Sequence, residues 1–287
     1  MKRIDLYIAL MGLFFLLLFV SGCGEIANAT GVEKIPWDIR HKVTAYWKFN
    51  EEGGYATNDC VGNYTMTPFQ WDGNPPDYYA HFPGWAEGMI GNAMIMGNTH
   101  TGGYSEDCQL MFAQDSSAFN LGMNDFTFAG WIKYETTYEA IVDGYNISQF
   151  LKIRSAQHGD GRLQVAIGGA VYDDNELIPL NKWIFVWLRR RFGRIEMGYS
   201  LANATDEAVM NVFKGVPRIS FMEETNLEMW GRFDLSMWLF SSGNYPASSL
   251  WVDNLIWCQD GYLSDIELEA LYNKGKGTER LIGILEK

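Results

Sequence analysis

Alternating apolar and polar positions, rich in aromatic and β-branched residues, recur along most of this chain. The runs at 45–49, 126–133 and 183–191 each have the length and composition of a β-strand. The run at 194–201 is predicted to pair with the preceding one across a two-residue turn at 192–193. Many short strands with a single good helix pattern predict an all-β, antiparallel two-sheet sandwich.

The stretch at 251–275 predicts a strand followed by one short helix. Ser264 and Glu267 have the spacing of a capping box at the helix start, and Gly275 is predicted to end the helix. Period-two alternation places the strand residues on two faces. One face is predicted to carry Trp251, Asp253, Leu255 and Trp257, and the other Val252, Asn254, Ile256 and Cys258.

The amino terminus predicts export. Two basic residues precede an apolar run at 8–20, and small residues lead to Cys23, which predicts a signal peptide at residues 1–22. The ending resembles a bacterial lipobox, which implies a lipid on Cys23 and a tether at 23–42. The chain is then expected to be an exported lipoprotein anchored to a membrane of the bacterial envelope or surface. An ordinary signal peptide with an incidental cysteine is the alternative.

Composition narrows the range of partners. The formal net charge is −13, so the chain repels phosphate backbones, and we expect no nucleic-acid partner. Aromatic residues make up 15% of the chain and include 11 tryptophans, enough to fill a core and still supply a binding face. No repeat or linker composition divides residues 43–287, which are predicted to form one domain.

Several motifs occur in the order typical of one family. The chain resembles the laminin-G-like (LamG-type) domains of the concanavalin A-like lectin/glucanase superfamily. The motifs that carry this resemblance lie at 45–63, 88–96, 126–133, 227–233 and 251–272. It implies a jelly-roll, concanavalin A-like sandwich with one short C-terminal helix.

The same resemblance suggests that the turn at 59–63 approaches the last strand. Asp59, Asn63 and Asp253 could then offer oxygens to a structural Ca²⁺, which prefers carboxylate, amide and carbonyl ligands. The equal alternative is that Asp253 accepts hydrogen bonds or pairs with an arginine, because an unpaired buried carboxylate is costly.

The cysteines fit an oxidising compartment. A disulfide between Cys60 and Cys108 is predicted, and Cys258 is expected to be a buried thiol. Three unpaired thiols are nearly as well supported. The Arg189-Arg190-Arg191 run is predicted to be a solvated turn that balances local acids.

Catalytic patterns are sparse. Glycoside hydrolases need two suitably spaced carboxylates, and no strand carries the period-two acidic signature Glu-x-Asp-x-x-Glu that this fold uses. The chain is therefore predicted not to be an enzyme, with a glycoside hydrolase or lyase as the third hypothesis for its function.

The aromatic stretch at 71–85 is the best candidate for binding. Flat rings stack on sugar faces, and neighbouring acids and amides bind hydroxyls. The predicted ligand-binding residues are Trp71, Asp72, Tyr78, Tyr79 and Trp85, with Tyr245 as a fainter addition. The alternative is that these rings pack over a sheet edge. The first hypothesis is a non-catalytic glycan-binding module, and the second is adhesion to a cell-surface protein.

Overall fold

A computed structural model of the 287-residue chain describes eleven segments. They cover residues 34–68, 83–98, 110–115, 118–134, 140–143, 152–154, 162–167, 170–202, 219–222, 232–236 and 248–286.

These segments are mostly strands. In chain order the strands are β1 (Lys34–Asp38), β2 (Ala45–Trp47), β3 (Thr67–Pro68), β4 (Gly84–Glu87), β5 (Asn92–Asn98), β6 (Leu110–Gln114), β7 (Phe126–Tyr134), β8 (Ala140–Asp143), β9 (Lys152–Arg154), β10 (Arg162–Ile167), β11 (Ala170–Leu177), β12 (Ile184–Arg191), β13 (Arg194–Leu201), β14 (Ile219–Met222), β15 (Arg232–Ser236), β16 (Ser248–Gln259) and β17 (Ile282–Glu286). One α-helix, α1 (Asp265–Tyr272), precedes a short 3₁₀ turn at Asn273–Gly275.

The strands form two large antiparallel sheets. One has the order β14-β13-β12-β7-β16-β5-β4, and β2 joins it beside β16. The other has the order β11-β10-β9-β8-β15-β6-β3. This arrangement confirms the predicted antiparallel β-sandwich with one short helix, and the predicted pairing of β12 with β13 is also confirmed.

The main core draws buried residues from both sheets. Trp47, Phe128 and Trp257 come from the first sheet, while Met111 and Ala113 come from the second. Each of these residues is at most 1% exposed. Burial of apolar surface at roughly 25 cal/mol per Å² is the main term that holds such a core together.

Strand β16 departs from the predicted alternation. Asp253 pairs with Trp131 and Ile256 with Ala129, so β16 contains one more residue than β7 between these pairs. Asn254 takes a φ of 52° in this β-bulge. The prediction that Leu255 and Trp257 share a face with Trp251 and Asp253 is therefore wrong. The core includes Leu250, Val252, Leu255 and Trp257.

Helix α1 covers part of the other face of the first sheet. Tyr272 stacks on Trp131 with ring centroids 5.8 Å apart and lies 6.1 Å from Phe185. The predicted capping box is present, since the side chain of Ser264 accepts from the Glu267 N–H and the Glu267 carboxylate accepts from the Ser264 N–H. The helix ends at Tyr272, where Asn273 rather than Gly275 takes the left-handed cap conformation.

The arginine run lies in strand β12, and its prediction as a solvated turn is wrong. Arg189 is 0% and Arg190 1% exposed. Arg189 donates to Glu196 at 2.6 Å, to Asp265 at 2.5 Å and to the Leu263 carbonyl at 2.7 Å. A buried cation needs such partners, so this arginine ties the sheet to the start of α1.

Arg190 points to the opposite side of β12. Its guanidinium donates to the carbonyls of Gly122 and Asn124 at 2.6–2.8 Å and lies over the Phe126 ring. The turn itself is at Phe192-Gly193, as predicted, and both residues have positive φ.

The chain divides into two compact units, residues 37–283 and a second unit formed by 1–36 with 284–287. Strands β1 and β17 pair in a two-stranded sheet, so part of the segment predicted as a tether is a strand. The helix found in the described segments falls short of what is needed to cross a membrane.

Candidate functional site

Trp85 lies on the edge strand β4 rather than in a loop. It pairs with Met94 of β5, and its half-buried side chain packs against the main core. The indole N–H donates to the Gly54 carbonyl at 3.0 Å. Packing and this hydrogen bond together hold one orientation of the ring, which remains partly exposed to solvent.

The segment 51–55, which supplies the Gly54 carbonyl, links this indole to an exposed aromatic residue and to a polar one. Tyr55, which follows Gly54, is 56% exposed. Asn92, at the start of β5, donates to the backbone carbonyl of Glu51 at 3.3 Å. We call Glu51, Gly54, Tyr55, Trp85 and Asn92 the Trp85 surface.

Glu51 places a carboxylate within the Trp85 surface. Its Oε1 accepts from the Asn58 backbone N–H at 3.0 Å. Its Oε2 is buried and has no hydrogen-bond partner among the described residues. Buried acceptors are usually satisfied, so this oxygen is an exception among the described residues.

A polar network holds the start of β5, which carries Asn92 of the Trp85 surface. Asn50 Oδ1 accepts from the Asn92 backbone N–H at 3.0 Å, and the Asn50 amide donates to Glu279. Lys48 pairs with the same glutamate at 2.9 Å. Gly91 has a φ of 73°, and a Cβ there would meet Asn50 Oδ1, so this position requires glycine. The network fixes the end of β5 that presents Asn92.

The predicted metal ligand Asp59 organises its own turn. Its carboxylate accepts from the backbone N–H groups of Tyr46 at 2.6 Å, Val61 at 2.9 Å and Tyr64 at 3.2 Å, and also from that of Gly62. The predicted ligand Asn63 is exposed and has a φ of 67°. Both residues therefore have a structural role in the turn.

Asp253 is fully buried. Ile90 donates its N–H to Asp253 Oδ2 at 2.8 Å, and the Asn254 amide donates to Oδ1 at 2.6 Å. Burial raises the pKa of Asp253 to about 7, although hydrogen bonds from Ile90, Met89 and Asn254 act in the opposite direction. The carboxylate thus anchors the β4–β5 turn, which matches the hydrogen-bonding alternative.

Tyr46 joins the two acids. Its backbone N–H donates to Asp59, while its hydroxyl donates to Asn254, the neighbour of Asp253. The described residues contain no group of three or more His, Cys, Asp or Glu side chains that could hold a metal. Calcium needs six to eight oxygens, so these carboxylates alone do not make up a site, and calcium binding stays a prediction.

Cys258 is buried, as expected, and burial raises the pKa of its thiol well above the usual range. Cys60 is exposed. Its predicted partner Cys108 lies outside the described residues, so the Cys60–Cys108 disulfide stays a prediction.

Most predicted ligand-binding residues lie outside the described residues. These are Trp71, Asp72, Tyr78, Tyr79 and Tyr245. The predicted lipidation site Cys23 also lies outside the described residues. Of the predicted binding set, the structure therefore describes Trp85 alone. Sequence reasoning missed Tyr55, Glu51 and Asn92, because the segment 51–55 meets β4 and β5 only in the folded chain. The signal available in the sequence was Gly53-Gly54, which indicates a turn, and Gly54 takes a φ of 100°.

Comparison with solved structures identifies the fold. Domain 4 of AbnA, a GH43 extracellular arabinanase from Geobacillus stearothermophilus solved with arabinotriose, matches with a TM-score of 0.54 and 18% identity. The match covers 80% of this chain and 97% of that domain. The likeness establishes a β-sandwich.

Botulinum neurotoxin structures match in the same way. A type C structure, whose description concerns interaction with two ganglioside molecules, has a TM-score of 0.54 and 12% identity. The serotype D/C binding domain has a TM-score of 0.53 and 13% identity. Each match covers 82% of this chain, which spans about half the length of those toxin chains. No protein-family profile matches the chain, and no curated protein matches it.

Proposed function

We propose that the protein is a non-catalytic, surface-anchored module that binds glycans through the Trp85 surface. The observation that carries this proposal is the fixed, partly exposed Trp85 indole beside Tyr55, which is 56% exposed. An indole held by packing and a hydrogen bond loses little conformational freedom when a ligand stacks on it, so more of the contact energy remains as affinity.

The polar groups around the two rings suit sugar hydroxyls. The Glu51 carboxylate accepts hydrogen bonds, and the Asn92 amide both donates and accepts them. A few fixed polar groups beside aromatic faces are the usual composition of small-ligand sites. The proposal extends to the residues predicted in the segments that precede β4 and β16 in the sequence, where they remain predictions: Trp71, Asp72, Tyr78, Tyr79 and Tyr245.

The structural neighbours support the glycan class of ligand. The arabinanase domain was solved with an arabinose oligosaccharide, and the type C toxin structure concerns gangliosides. Both are extracellular or cell-entry proteins by their descriptions, which agrees with an exported module. The likeness in fold makes a sugar ligand a natural first test for this chain.

A glycan array with the full-length chain tests the proposal. Wild-type protein is expected to bind a restricted set of glycans. Trp85→Leu keeps an apolar side chain against the core but removes the flat ring, so affinity should fall by at least about tenfold. Tyr55→Ala should also weaken binding, and Trp71→Ala tests the neighbouring segment.

Phe192→Ala is the matched control. Phe192 is 76% exposed on the β12–β13 turn and is outside the Trp85 surface. This variant should bind as wild type does, and all variants should keep the wild-type melting temperature within a few degrees. Unchanged glycan affinity in folded Trp85→Leu and Tyr55→Ala would reject the proposed site. Turnover of any polysaccharide would instead support the hydrolase or lyase hypothesis.

Binding to a cell-surface protein is the main alternative. It predicts no glycan binding on the array and retention of the chain by protease-sensitive material on cells. Loss of retention after protease treatment, with no effect of glycan removal, would favour this adhesion hypothesis.

We also propose that Cys23 carries a lipid that anchors the chain to a membrane of the bacterial envelope. A single acyl chain binds weakly, so stable anchoring needs more than one chain. Metabolic labelling with a palmitate analogue should mark wild-type protein, while Cys23→Ala should be unlabelled and released from membranes. Equal labelling of both proteins would contradict the anchor.

A further inference from the structure

Three half-buried residues form a second polar-aromatic cluster away from the Trp85 surface. The Lys133 ammonium lies 3.3 Å from the ring centroid of Trp251 and 5.4 Å from that of Trp183. The two indoles are edge-to-face with centroids 6.5 Å apart. We call Lys133, Trp183 and Trp251 the Lys133 cluster.

Strand register places the cluster on the face opposite the main core. Lys133 of β7 pairs directly with Trp251 of β16. Their neighbours Ile132 and Val252 belong to the core, so alternation directs Lys133 and Trp251 the other way. Trp183 precedes Ile184, another core residue, which pairs with Ile132. Three adjacent positions of one sheet therefore present an indole, an ammonium and an indole.

The Lys133 cluster lies just beyond the part of the sheet face that helix α1 covers. One residue pair nearer the helix, Trp131 and Phe185 are 1% and 2% exposed beneath Tyr272. At the next step along both strands, the side chains of Lys133 and Trp183 are partly exposed. The rings on this face therefore change from buried beneath Tyr272 to partly exposed at the cluster.

The charge of this cluster contrasts with that of the whole chain. The protein has a formal net charge of −13, whereas the cluster holds a cation, and the exposed Lys182 adjoins Trp183. Cation–π contact stabilises an ammonium over an indole by about 0.5–2 kcal/mol, which restrains the lysine. Lys133 has further partners within the protein, and because an ammonium carries three donors, it can offer an additional hydrogen bond to an anion.

We propose that the Lys133 cluster is a second binding site, for a pyranose sugar that bears a carboxylate. The Lys133 ammonium binds the carboxylate, and the apolar face of the sugar ring packs against the indoles. A charge-assisted hydrogen bond supplies selectivity for the acid, and ring stacking selects a sugar over a small inorganic anion. The site is separate from the Trp85 surface and does not depend on ligand binding there.

Calorimetry on the full-length chain in detergent tests this proposal with matched ligand pairs. Trigalacturonate is compared with neutral galactotriose, and sialyllactose with lactose, so the two arms separate uronic from sialic acids. Wild-type protein should prefer at least one acidic ligand over its neutral partner by about tenfold or more. The preference should weaken as salt rises from low to high concentration.

Variants at Lys133 separate charge from packing. Lys133→Met keeps an unbranched stem over Trp251 and should abolish the acid preference, while Lys133→Arg should keep it within about threefold. Trp251→Leu should weaken binding of the acidic ligand. Phe192→Ala, at the opposite end of β12, should leave it unchanged.

Two results would overturn the proposal. One is a wild-type chain that binds acidic and neutral members of both pairs equally, and the other is an acid preference that survives in Lys133→Met. If Lys133→Met does not fold, the wild-type chain is measured in 1 M NaCl, where the Debye length is about 3 Å. A preference for the acidic ligand that persists at this salt concentration overturns the proposal, and loss of the preference supports it. Because each comparison is between an acid and its neutral partner, failure of the Trp85 surface leaves this test intact.

Discussion

The region formed by β12, β16 and α1 contrasts with the Trp85 surface in what its polar groups do. Arg189 and Asp253 are both 0% exposed and take their partners from within the protein. On the Trp85 surface, Tyr55 is 56% exposed, and the ring of Trp85 is only half-buried. The first region uses charge to join elements, and the second presents aromatic groups to solvent.

This difference separates stability from recognition. A buried charge or hydrogen-bond network is costly to disrupt, because the remaining partner is left without solvation. An exposed ring contributes little to folding but can bury area against a ligand. Variants in the first region should therefore lower stability, and variants in the second should lower affinity.

The largest effect is expected for Arg189→Met. This change leaves Glu196 buried with one fewer partner and releases Asp265 and the Leu263 carbonyl. The free energy of unfolding should fall by about 3–5 kcal/mol. Denaturant titration followed by tryptophan fluorescence measures the change.

Arg280→Met is the control for that measurement. Arg280 is exposed, and its unfolding free energy should change by no more than about 0.5 kcal/mol. If Arg189→Met were equally mild, the buried guanidinium would not join the sheet to α1, and the contrast between the two regions would fail.

The next largest effect concerns pH and Asp253. Because the folded pKa is raised from 3.8 to about 7, the folded state binds more protons than the unfolded state between these values. The contribution of this group is therefore fully present at low pH and is lost as the pH rises towards 7. The loss is at most about 4 kcal/mol for one group. Unfolding free energies from pH 4 to 8 measure it.

Asp253→Asn removes the titrating group, so its stability should vary less over the same pH range than that of wild type. Identical pH profiles would show that Asp253 does not carry the dependence.

Melting curves measured with Ca²⁺ and with EDTA test the calcium prediction, which requires a higher melting temperature with Ca²⁺. Equal melting temperatures would reject it.

A smaller effect is expected for Ser264→Ala. The change removes the acceptor for the Glu267 N–H at the start of α1 and should cost about 1 kcal/mol. The control is Ser264→Asn, which retains a capping side chain and should be milder. Loss of stability as large as that of Arg189→Met would mean that α1 depends more on its cap than on its contacts with the sheet.

Local features could be predicted from the sequence. The strands, the turn at Phe192-Gly193 and the capping box depend on neighbours within a few residues, and all appear in the structure. The helix stop was placed two residues too late, because Asn273 adopts the left-handed conformation that glycine was expected to supply.

Features set by long-range pairing were missed. Strand β16 pairs with β5 before the bulge at Asn254 and with β2 after it. The hydrophobic periodicity of β16 alone does not show this change of partner. The burial of Arg189 depends on Asp265, 76 residues away. The contact with Glu196 could nevertheless be predicted from the sequence, because a two-residue turn at 192–193 places Arg189 opposite Glu196.

The candidate site was predictable only in part. Aromatic enrichment indicated Trp85, but the sequence could not show that its indole N–H binds Gly54 or that Tyr55 is its neighbour. These contacts depend on how the segment 51–55 packs against β4 in the folded chain. The remaining predicted aromatics lie outside the described residues and stay predictions.

The most direct test of the central claim is the affinity of one array-selected glycan for wild type, Trp85→Leu and Phe192→Ala, measured by calorimetry at a temperature where all three are folded. We expect a loss of at least about tenfold in Trp85→Leu and no change in Phe192→Ala. Equal affinity in all three proteins would contradict glycan binding at the Trp85 surface.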